Sequence, residues 1–373
     1  NGRAVFSAGG GQGLDFSTVS PELIGSVVVS KNQTASMIEG GIAGTIDLNT
    51  RKPFDSDKPT TAYVSGGSDW GTLARRGTPH MSALFSHNFD TEYGRFGFLG
   101  AVAFDRIDQT DNDISVVDFQ QRCNGCTLPN GVVDSYPGLA AGQTAYVPVG
   151  GDIRVQNQTS QRFGHDLAAQ WESPDKSLSA TLQWVGVSDN ETTSEHSLQA
   201  STDGCAFGGY TTCGIPLAGT TPTYNSSGVF QSGIITAAGG PSSFAPLTYG
   251  GVQTQLDTTG YSTRYNTNDI SLNVKWNVTD RLHLSADAQY TTSSYNYLYY
   301  YIRELTNANW DINLHGNGVP GISLLSPDPA ETTAQYFANP DNIYYAAAQD
   351  AYRHSWGNQR AFRLDGTFDV NAD

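Results

Sequence analysis

The sequence lacks any run of 18 consecutive apolar residues, which excludes a transmembrane helix. Apolar side chains are scarce for a globular enzyme, because only 38% of the 373 residues are hydrophobic, so a single thick core is not expected. Positive charge is scarce as well, with 20 Lys and Arg against 36 Asp and Glu and a net charge of −16. No basic stripe is present, which excludes nucleic acid as a partner.

Catalytic and cofactor-binding motifs are also missing. Neither GxSxG nor HExxH occurs, and the seven histidines are scattered along the chain. The stretch GGGQG at residues 9–13 has no following Lys-Ser/Thr pair, so it does not predict a nucleotide site. Asp111 and Asp113 lie in a stretch that predicts a solvated loop. The sequence therefore predicts no enzyme, no cofactor and no metal site.

Cysteine is rare, and the four residues fall into two local pairs, Cys123 with Cys126 and Cys205 with Cys213. Both pairs lie in turn-rich stretches without strand periodicity. Neither pair is flanked by clustered histidines or carboxylates, which favours two disulfides within loops over a metal site. Such disulfides indicate an exported, oxidising compartment.

Residues typical of strands and turns are abundant, with 41 glycines and 19 tyrosines. Strict alternation of apolar and polar residues predicts strands with two different faces. In ISLNVKWNV, one face consists of Ile270, Leu272, Val274, Trp276 and Val278. The stretch LHLSADAQY repeats the pattern after the short turn TDR, which predicts a hairpin. Similar alternation elsewhere gives about eight strands.

The predicted connections alternate in length, and this favours a membrane protein. The turns DTEYGR, ESPDKS and TDR are short, whereas long loops are predicted at about residues 107–160, 190–261 and 302–355. Brief turns at one end and long loops at the other are typical of a transmembrane β-barrel. An aromatic girdle is expected near the short turns, and Trp171, Trp276 and Phe368 lie there.

A soluble β-sandwich is the competing interpretation, because it also has strands with one apolar face. The two folds differ in what contacts that face. A sandwich would bury Leu272, Val274, Leu284 and Leu364 between stacked sheets, whereas a barrel would expose them to lipid. Several segments alternate for longer than the roughly five or six residues of an average strand, which favours the barrel.

A glycine-rich corner precedes these strands. The stretch ELIGSVVVSKNQTASMIEGGIAGTIDLNTRKPFD, residues 22–55, combines two short strands with a helical turn and clustered glycines. It resembles the C-terminal half of the plug domain of TonB-dependent outer-membrane receptors. The preceding NGRAVFSAGGGQGLDFSTVSPELI is similar to a large-loop subfamily of carbohydrate-scavenging proteobacteria. The resemblance is dense up to about residue 55 and depends on strand pattern beyond it.

The resemblance implies a fold and two domains. Residues 1–53 would be the C-terminal part of a small α+β plug. Residues 54–373 would be the N-terminal part of a transmembrane antiparallel β-barrel, with about eight of the roughly 22 strands of the family. The plug motif, a turn followed by the exit to the barrel, would consist of Glu39, Gly40, Gly41, Gly44, Thr45 and Arg51. Its two charged residues either contact the barrel wall or form a solvated pair.

The resemblance also implies a function, which is active uptake of a scarce nutrient. Energy would come from TonB and the inner-membrane proteins coupled to it, through a segment upstream of Asn1. The expected location is the bacterial outer membrane, with lipid around the barrel. A passive porin or an adhesin, neither of which needs TonB, is the alternative.

The run YNYLYYYIRE, residues 295–304, has two interpretations. As an outer-leaflet aromatic girdle it needs no ligand. If the period of two continues from Gln289, the odd-numbered tyrosines face the lumen, where rings can stack on sugars. The ligand-binding candidates are then Tyr297, Tyr299, Tyr301, Trp310 and Tyr336. The acidic net charge favours a neutral oligosaccharide or a cationic complex, and a siderophore or cobalamin is the alternative ligand.

Overall fold

The computed structural model describes residues 3, 6–9, 23–32, 37, 44–127, 133–201, 214–237, 250–315 and 318–370. The chain is mainly β, with 75% of residues in strands and 4% in helices. The strands of this part of the chain are β1 (Ile24–Ser30), β2 (Thr45–Thr50), β3 (Thr60–Gly71), β4 (Arg76–Thr91), β5 (Gly94–Thr127), β6 (Val133–Ser135), β7 (Thr144–Glu172), β8 (Leu178–Ser201), β9 (Gly214–Pro216), β10 (Thr223–Tyr224), β11 (Phe230–Ala237), β12 (Val252–Asn277), β13 (Leu282–Asn313), β14 (Gly321–Leu325) and β15 (Tyr344–Phe368). Its α-helix is α1 (Thr333–Ala338), and 3-10 turns occur at Pro53–Asp55 and Pro340–Asn342.

Eight long strands form one antiparallel meander, in which each strand pairs with the next: β3, β4, β5, β7, β8, β12, β13 and β15. The pairing of β12 with β13 runs without a register shift from Asn277 opposite His283 to Val252 opposite Ala308. Because side chains of a strand alternate between the faces of a sheet, this unbroken register keeps odd and even residues on fixed, opposite faces.

The strands extend into the regions predicted as long loops, and the predicted loop boundaries are corrected accordingly. β5 continues to Thr127 and β7 begins at Thr144, so most of residues 107–160 are paired strand. The same is true of 190–201, 252–261, 302–313 and 344–355. Polar residues are frequent on both faces of most of these extensions, which weakens the alternation. The backbone ladder does not depend on that alternation.

One face of the meander is apolar and exposed, and its part nearest the short turns is called the apolar band here. On β8, β12 and β13 the band consists of Leu178, Ala180, Leu182, Trp184, Ile270, Leu272, Val274, Trp276, Leu284, Ala286, Ala288 and Tyr290, which lie in facing positions across the three strands. Leu272 is 42% exposed and Leu284 is 38% exposed. Leu364, which continues the band on β15, is 83% exposed. Side chains this exposed are not the core of a sandwich.

The opposite face, called the polar face here, is hydrophilic and partly buried. At the height of the apolar band it carries Ser179, Thr181 and Gln183 on β8, Ser271, Asn273 and Lys275 on β12, and Ser285, Asp287 and Gln289 on β13. Gln183, Ser271 and Gln289 are buried. In a half-solvated soluble sheet the apolar face is the buried one, so this sheet has the reverse arrangement.

An ordinary apolar core lies at the far end of the sheet, where the long strands extend beyond the apolar band. Phe230 of β11, Val252 of β12 and Trp310 of β13 are buried there together. The indole N–H of Trp310 donates to the Thr254 hydroxyl at 2.8 Å. Since β11 and β14 both pair with the end of β13, this core fixes the β8–β12 and β13–β15 connections to the sheet.

A buried ion pair fixes the connection between β5 and β7. Arg122 Nε and Nη2 donate to the two carboxylate oxygens of Asp134 at 2.8 and 2.9 Å, and Cys123 N–H donates to the same carboxylate. Burial tends to raise the pKa of Asp134, but the hydrogen bonds from Arg122 and Cys123 outweigh it and hold that pKa below its ordinary value. Arg122 also lies over the ring of Tyr136, whose phenol has a pKa raised by burial.

Trp310→Ala should destabilise the far end of the sheet by about 3–5 kcal/mol, because it removes a fully buried indole and leaves a cavity. The matched control is Trp356→Ala, since Trp356 is 72% exposed on β15. Urea denaturation, together with the rate of proteolysis within residues 214–237, measures the effect. Equal losses of stability in the two variants would contradict the placement of this core.

Asp134→Asn should cost about 3–5 kcal/mol at neutral pH, because the buried Arg122 guanidinium loses its counter-charge. Since folding lowers the pKa of Asp134, its stabilising contribution is complete above the ordinary aspartate pKa of about 3.9 and is lost as the pH falls through the lower folded pKa. The difference in urea midpoint between the wild type and this variant should therefore shrink below about pH 4.

The control for this pH series is Asp350→Asn, on the exposed edge of β15. That variant should denature like the wild type throughout the series. A difference between wild type and Asp134→Asn that stays constant down to about pH 2 would show that the carboxylate is not the titrating group.

Candidate functional site

The polar face carries the candidate site, and it has two parts. Opposite the apolar band, the face is covered by residues from the beginning of the chain. Farther along β12 and β13, beyond the band, it carries a row of tyrosines. The covered part is described first.

Arg3 anchors the beginning of the chain on β12 and β13. Its Nη2 and Nε donate to Asp287 Oδ1 at 2.7 and 3.2 Å, and its Nη1 donates to the Ser271 hydroxyl at 2.8 Å. Both side chains of the ion pair are largely buried, with exposures of 17% and 21%. The carboxylate on the polar face thus has a charged partner, as burial of charge requires.

Residues 6–9 continue this contact across neighbouring strands. The Ala8 N–H donates to the Ser293 hydroxyl at 3.0 Å. Gly9 lies against the ring of Tyr265, and the ring of Phe6 lies against Gly357, so closely that a Cβ at either glycine would overlap the ring. The two glycines therefore permit a close approach between the beginning of the chain and the sheet.

A second contact is made by Leu23 and Thr50. Leu23 is buried in an apolar cluster with residues of β5 and β7, which are Leu99, Ala101, Ala103 and Ala168. The Thr50 hydroxyl accepts a hydrogen bond from the Gln183 amide at 2.6 Å, and the same amide donates to Asp166 at 2.9 Å. The small alanine side chains on the polar face here leave room for Leu23. The described residues up to Asp55, which are 3, 6–9, 23–32, 37 and 44–55, are called the covering segment here.

A third contact lies where the covering segment joins β3. The Phe54 N–H donates to Gln170 Oε1 at 3.0 Å, and Asn88 Nδ2 donates to the Pro53 carbonyl at 2.8 Å. The Arg95 guanidinium lies over the Phe54 ring, 4.6 Å from its centre. These contacts fix the exit of the segment to β4, β5 and β7.

Of the predicted plug motif, Gly44, Thr45 and Arg51 lie among the described residues, whereas Glu39, Gly40 and Gly41 lie outside them. Gly44 has a φ of +140°, which favours glycine, and a Cβ there would be 2.6 Å from the Ser30 carbonyl oxygen. Thr45 pairs with Ser30 in the β1–β2 hairpin, and the stem of Arg51 lies beside Gly25. Contact of the motif's two charged residues with the sheet stays a prediction.

Four tyrosines of β13 form a line on the polar face beyond the apolar band: Tyr295, Tyr297, Tyr299 and Tyr301. Successive ring centres are 6.2, 6.3 and 5.9 Å apart, and the middle pair is nearly parallel, with an angle of 4°. The period of two continues from Gln289 through Tyr301 without a register shift. All four side chains are half-buried, so part of each ring is open to a ligand.

β12 adds two tyrosines that were not among the predicted ligand-binding residues. Tyr261 lies opposite Tyr299, and Tyr265 lies opposite Tyr295 with 4.6 Å between the ring centres. The tyrosine row is defined here as Tyr261, Tyr265, Tyr295, Tyr297, Tyr299 and Tyr301. The hairpin register could have found the two additional rings, because extending the pairing outward from the turn TDR places odd residues of β12 opposite odd residues of β13.

Polar groups surround the tyrosine row. At its far end, Arg303 lies over the Tyr301 ring at 5.5 Å and donates to both carboxylate oxygens of Asp257 at 2.8 and 2.7 Å. On β15, Arg353 lies opposite Tyr297. The site therefore combines aromatic rings with donors and acceptors of hydrogen bonds, a combination that is typical of small-molecule binding sites.

Trp310 and Tyr336, which were expected to join the tyrosines, are placed elsewhere, and their predicted role in ligand binding is corrected. Trp310 is 1% exposed in the far apolar core. Tyr336 is buried on α1, where its ring meets the edge of Phe337 at 5.3 Å. Both rings have apolar neighbours in the fold and therefore stabilise it.

A disulfide joins Cys123 and Cys126, beside the Arg122–Asp134 ion pair, whereas Cys205 and Cys213 lie outside the described residues. In the described part of the chain, no group of three or more His, Cys, Asp or Glu side chains could hold a metal ion. Nor is any helix of that part long and apolar enough to span a membrane.

No protein-family model, curated protein or solved structure matches the chain. The two faces of the sheet and the tyrosine row are therefore the observations from which a function is proposed.

The ion pair between Arg3 and Asp287 should couple the beginning of the chain to the sheet. Arg3→Ala and Asp287→Ala should each lower the hydrogen-exchange protection of the Ala8 amide, and the double variant should lower it little further, with a coupling energy of about 0.5–3 kcal/mol. Lys31→Ala, which changes an exposed cation, is the control. Additive effects of the two substitutions would mean that this pair does not hold the segment.

Proposed function

We propose that the chain is part of a TonB-dependent outer-membrane receptor that takes up a scarce nutrient, an oligosaccharide, by active transport. One observation carries the proposal. The apolar band is exposed, while the polar face behind it is in contact with the covering segment through hydrogen bonds, an ion pair and the Leu23 cluster. Lipid against the band and a folded domain against the polar face satisfy both surfaces.

The length of the apolar band supports the proposal. On β5 it runs over residues 96–104 and on β7, with His165 within it, over residues 163–171, nine residues in each case, whereas on β8, β12 and β13 it runs over seven. A tilted transmembrane strand needs about 9–11 residues. On the same face of β5, charged side chains follow the band at once, with Arg106 and Asp108. Trp276 lies at the turn-side edge of the band, where an aromatic girdle is expected.

The covering segment is proposed to be the plug. A barrel of the proposed width would leak unless a folded domain occupied it. Most of the described contacts of the segment are hydrogen bonds to the polar face, such as Thr50 with Gln183 and Phe54 with Gln170. Such bonds exchange for bonds to water at a net cost of about 0.5–1.5 kcal/mol each, so a segment held in this way can be displaced by a pull from TonB.

Leu272→Arg tests the membrane part of the proposal. Leu272 lies in the middle of the apolar band, where an arginine facing lipid should destabilise the protein by about 2–4 kcal/mol. The matched control is Ser262→Arg, on the same strand and face but beyond the band. The measurement is the amount of folded protein recovered in the outer membrane. Equal recovery of the two variants would contradict contact between the band and lipid.

Transport itself is tested by uptake of labelled oligosaccharides into cells with and without TonB. The proposed receptor requires TonB for accumulation against a gradient. A passive porin would admit the sugar equally in both strains, and an adhesin would bind it without import. Either result would reject the proposal in favour of the corresponding alternative.

A further inference from the structure

We infer that the tyrosine row is a track for an extended, unbranched oligosaccharide, which lies along β13 with successive sugar residues on successive rings. This inference rests on the proposed function, because it names the shape of the ligand and the residues that hold it.

The tyrosine row is not part of the apolar core of the protein. Its six rings stand on the polar face, half-buried, and the far apolar core gathers instead around Trp310 and Phe230. A chain that needed these rings only for packing would place them in that core or in the apolar band. Large aromatic side chains that remain partly open on a hydrophilic surface are typical of ligand contacts.

The geometry of the row favours an extended ligand over a compact one. From Tyr295 to Tyr301 the ring centres follow one strand at separations of 6.2, 6.3 and 5.9 Å. These separations are comparable to the length of one sugar residue in an extended chain. A compact ligand such as an iron chelate would reach two or three neighbouring rings, whereas an extended chain can contact the whole line.

The chemistry around the rings suits a sugar. A sugar ring offers an apolar C–H surface to an aromatic ring and hydroxyl groups to polar neighbours. Thr263 and Arg353 lie on either side of Tyr297, and Ser355 lies beside Tyr295, so hydroxyls and one guanidinium line the row. Arg303 is already paired with Asp257, and the net charge of −16 does not favour a polyanion.

The row also has a direction. Its near end is Tyr265, whose ring lies against Gly9 of the covering segment, and its far end is Tyr301, beside Arg303. A chain that moves along the rings from the far end therefore arrives at the covering segment. The track leads to the part of the molecule that has to move for transport.

The test measures the affinity of the whole protein in detergent for linear glucans and xylans, from the monosaccharide to the hexasaccharide, by titration calorimetry. For at least one of the two series, the affinity should rise with each added sugar until the chain covers the four rings of β13, and then level off. The monosaccharide should bind weakly.

Tyr299→Ala should weaken binding of the hexasaccharide about tenfold and leave monosaccharide binding unchanged, because it removes one ring from the middle of the line. Tyr300→Ala is the matched control, because Tyr300 is the next residue of β13 but lies on the opposite face. Tyr299→Phe keeps the ring and should bind like the wild type.

If binding is observed, three results would overturn the inference. They are equal affinity for short and long chains of both series, equal losses in Tyr299→Ala and Tyr300→Ala, or a loss in Tyr299→Phe as large as in Tyr299→Ala. Absence of binding by both series would be a fourth. In that case TonB-dependent uptake of an oligosaccharide outside the two series would leave the proposed function intact, so the two failures are distinguishable.

Discussion

The backbone pairing of the meander is the constraint on which the rest of the molecule depends. Each long strand is hydrogen-bonded to its neighbour over most of its length, and β12 and β13 keep one register throughout. Adjacent residues are therefore forced into opposite surroundings: Leu272 is exposed while Ser271 is buried. A slip by one residue would exchange the two faces completely. The fold thus requires two different environments, one for each side of the same ribbon.

The two ends of the sheet meet this requirement differently. Near the short turns, apolar side chains stay exposed on one face, and the beginning of the chain satisfies the polar groups of the other. At the far end, polar residues are frequent on both sides of most strands and a buried apolar core forms around Trp310, although Leu298 and Ile302 of β13 stay exposed. The buried Arg122–Asp134 pair belongs to this end. In the proposed receptor such a core is expected at this end, because a segment surrounded by water buries apolar side chains.

The sequence predicts which residues lie on each face of the sheet only where one face is apolar and the other is polar. Between Ile270 and Tyr290 the alternation is strong, and both strands of that hairpin follow from it. In residues 107–127 the contrast disappears, because polar side chains dominate both faces, and strand looks like loop although the backbone is paired with β7 as far as Cys123. Trp310 illustrates a second limit. Its burial depends on β11, which is distant in sequence, and on β14, and neither strand has a strong period of its own.

The tyrosine row shows that the alternation of side chains along a strand also predicts residues of the candidate site. Counting from Gln289 places the odd tyrosines of β13 on the polar face, and the hairpin register then adds Tyr261 and Tyr265 from β12. Tyr265 is in contact with Gly9, so a ligand that reaches this ring has to share it with the covering segment. A ligand can shift a conformational equilibrium only by binding the two states with different affinity. A ligand that competes with the covering segment for the Tyr265 ring would bind more tightly when the segment is displaced, which is such a difference in affinity. In the proposed receptor, coupling between a ligand and the covering segment would therefore need no pathway through the sheet, because Tyr265 is already in contact with that segment.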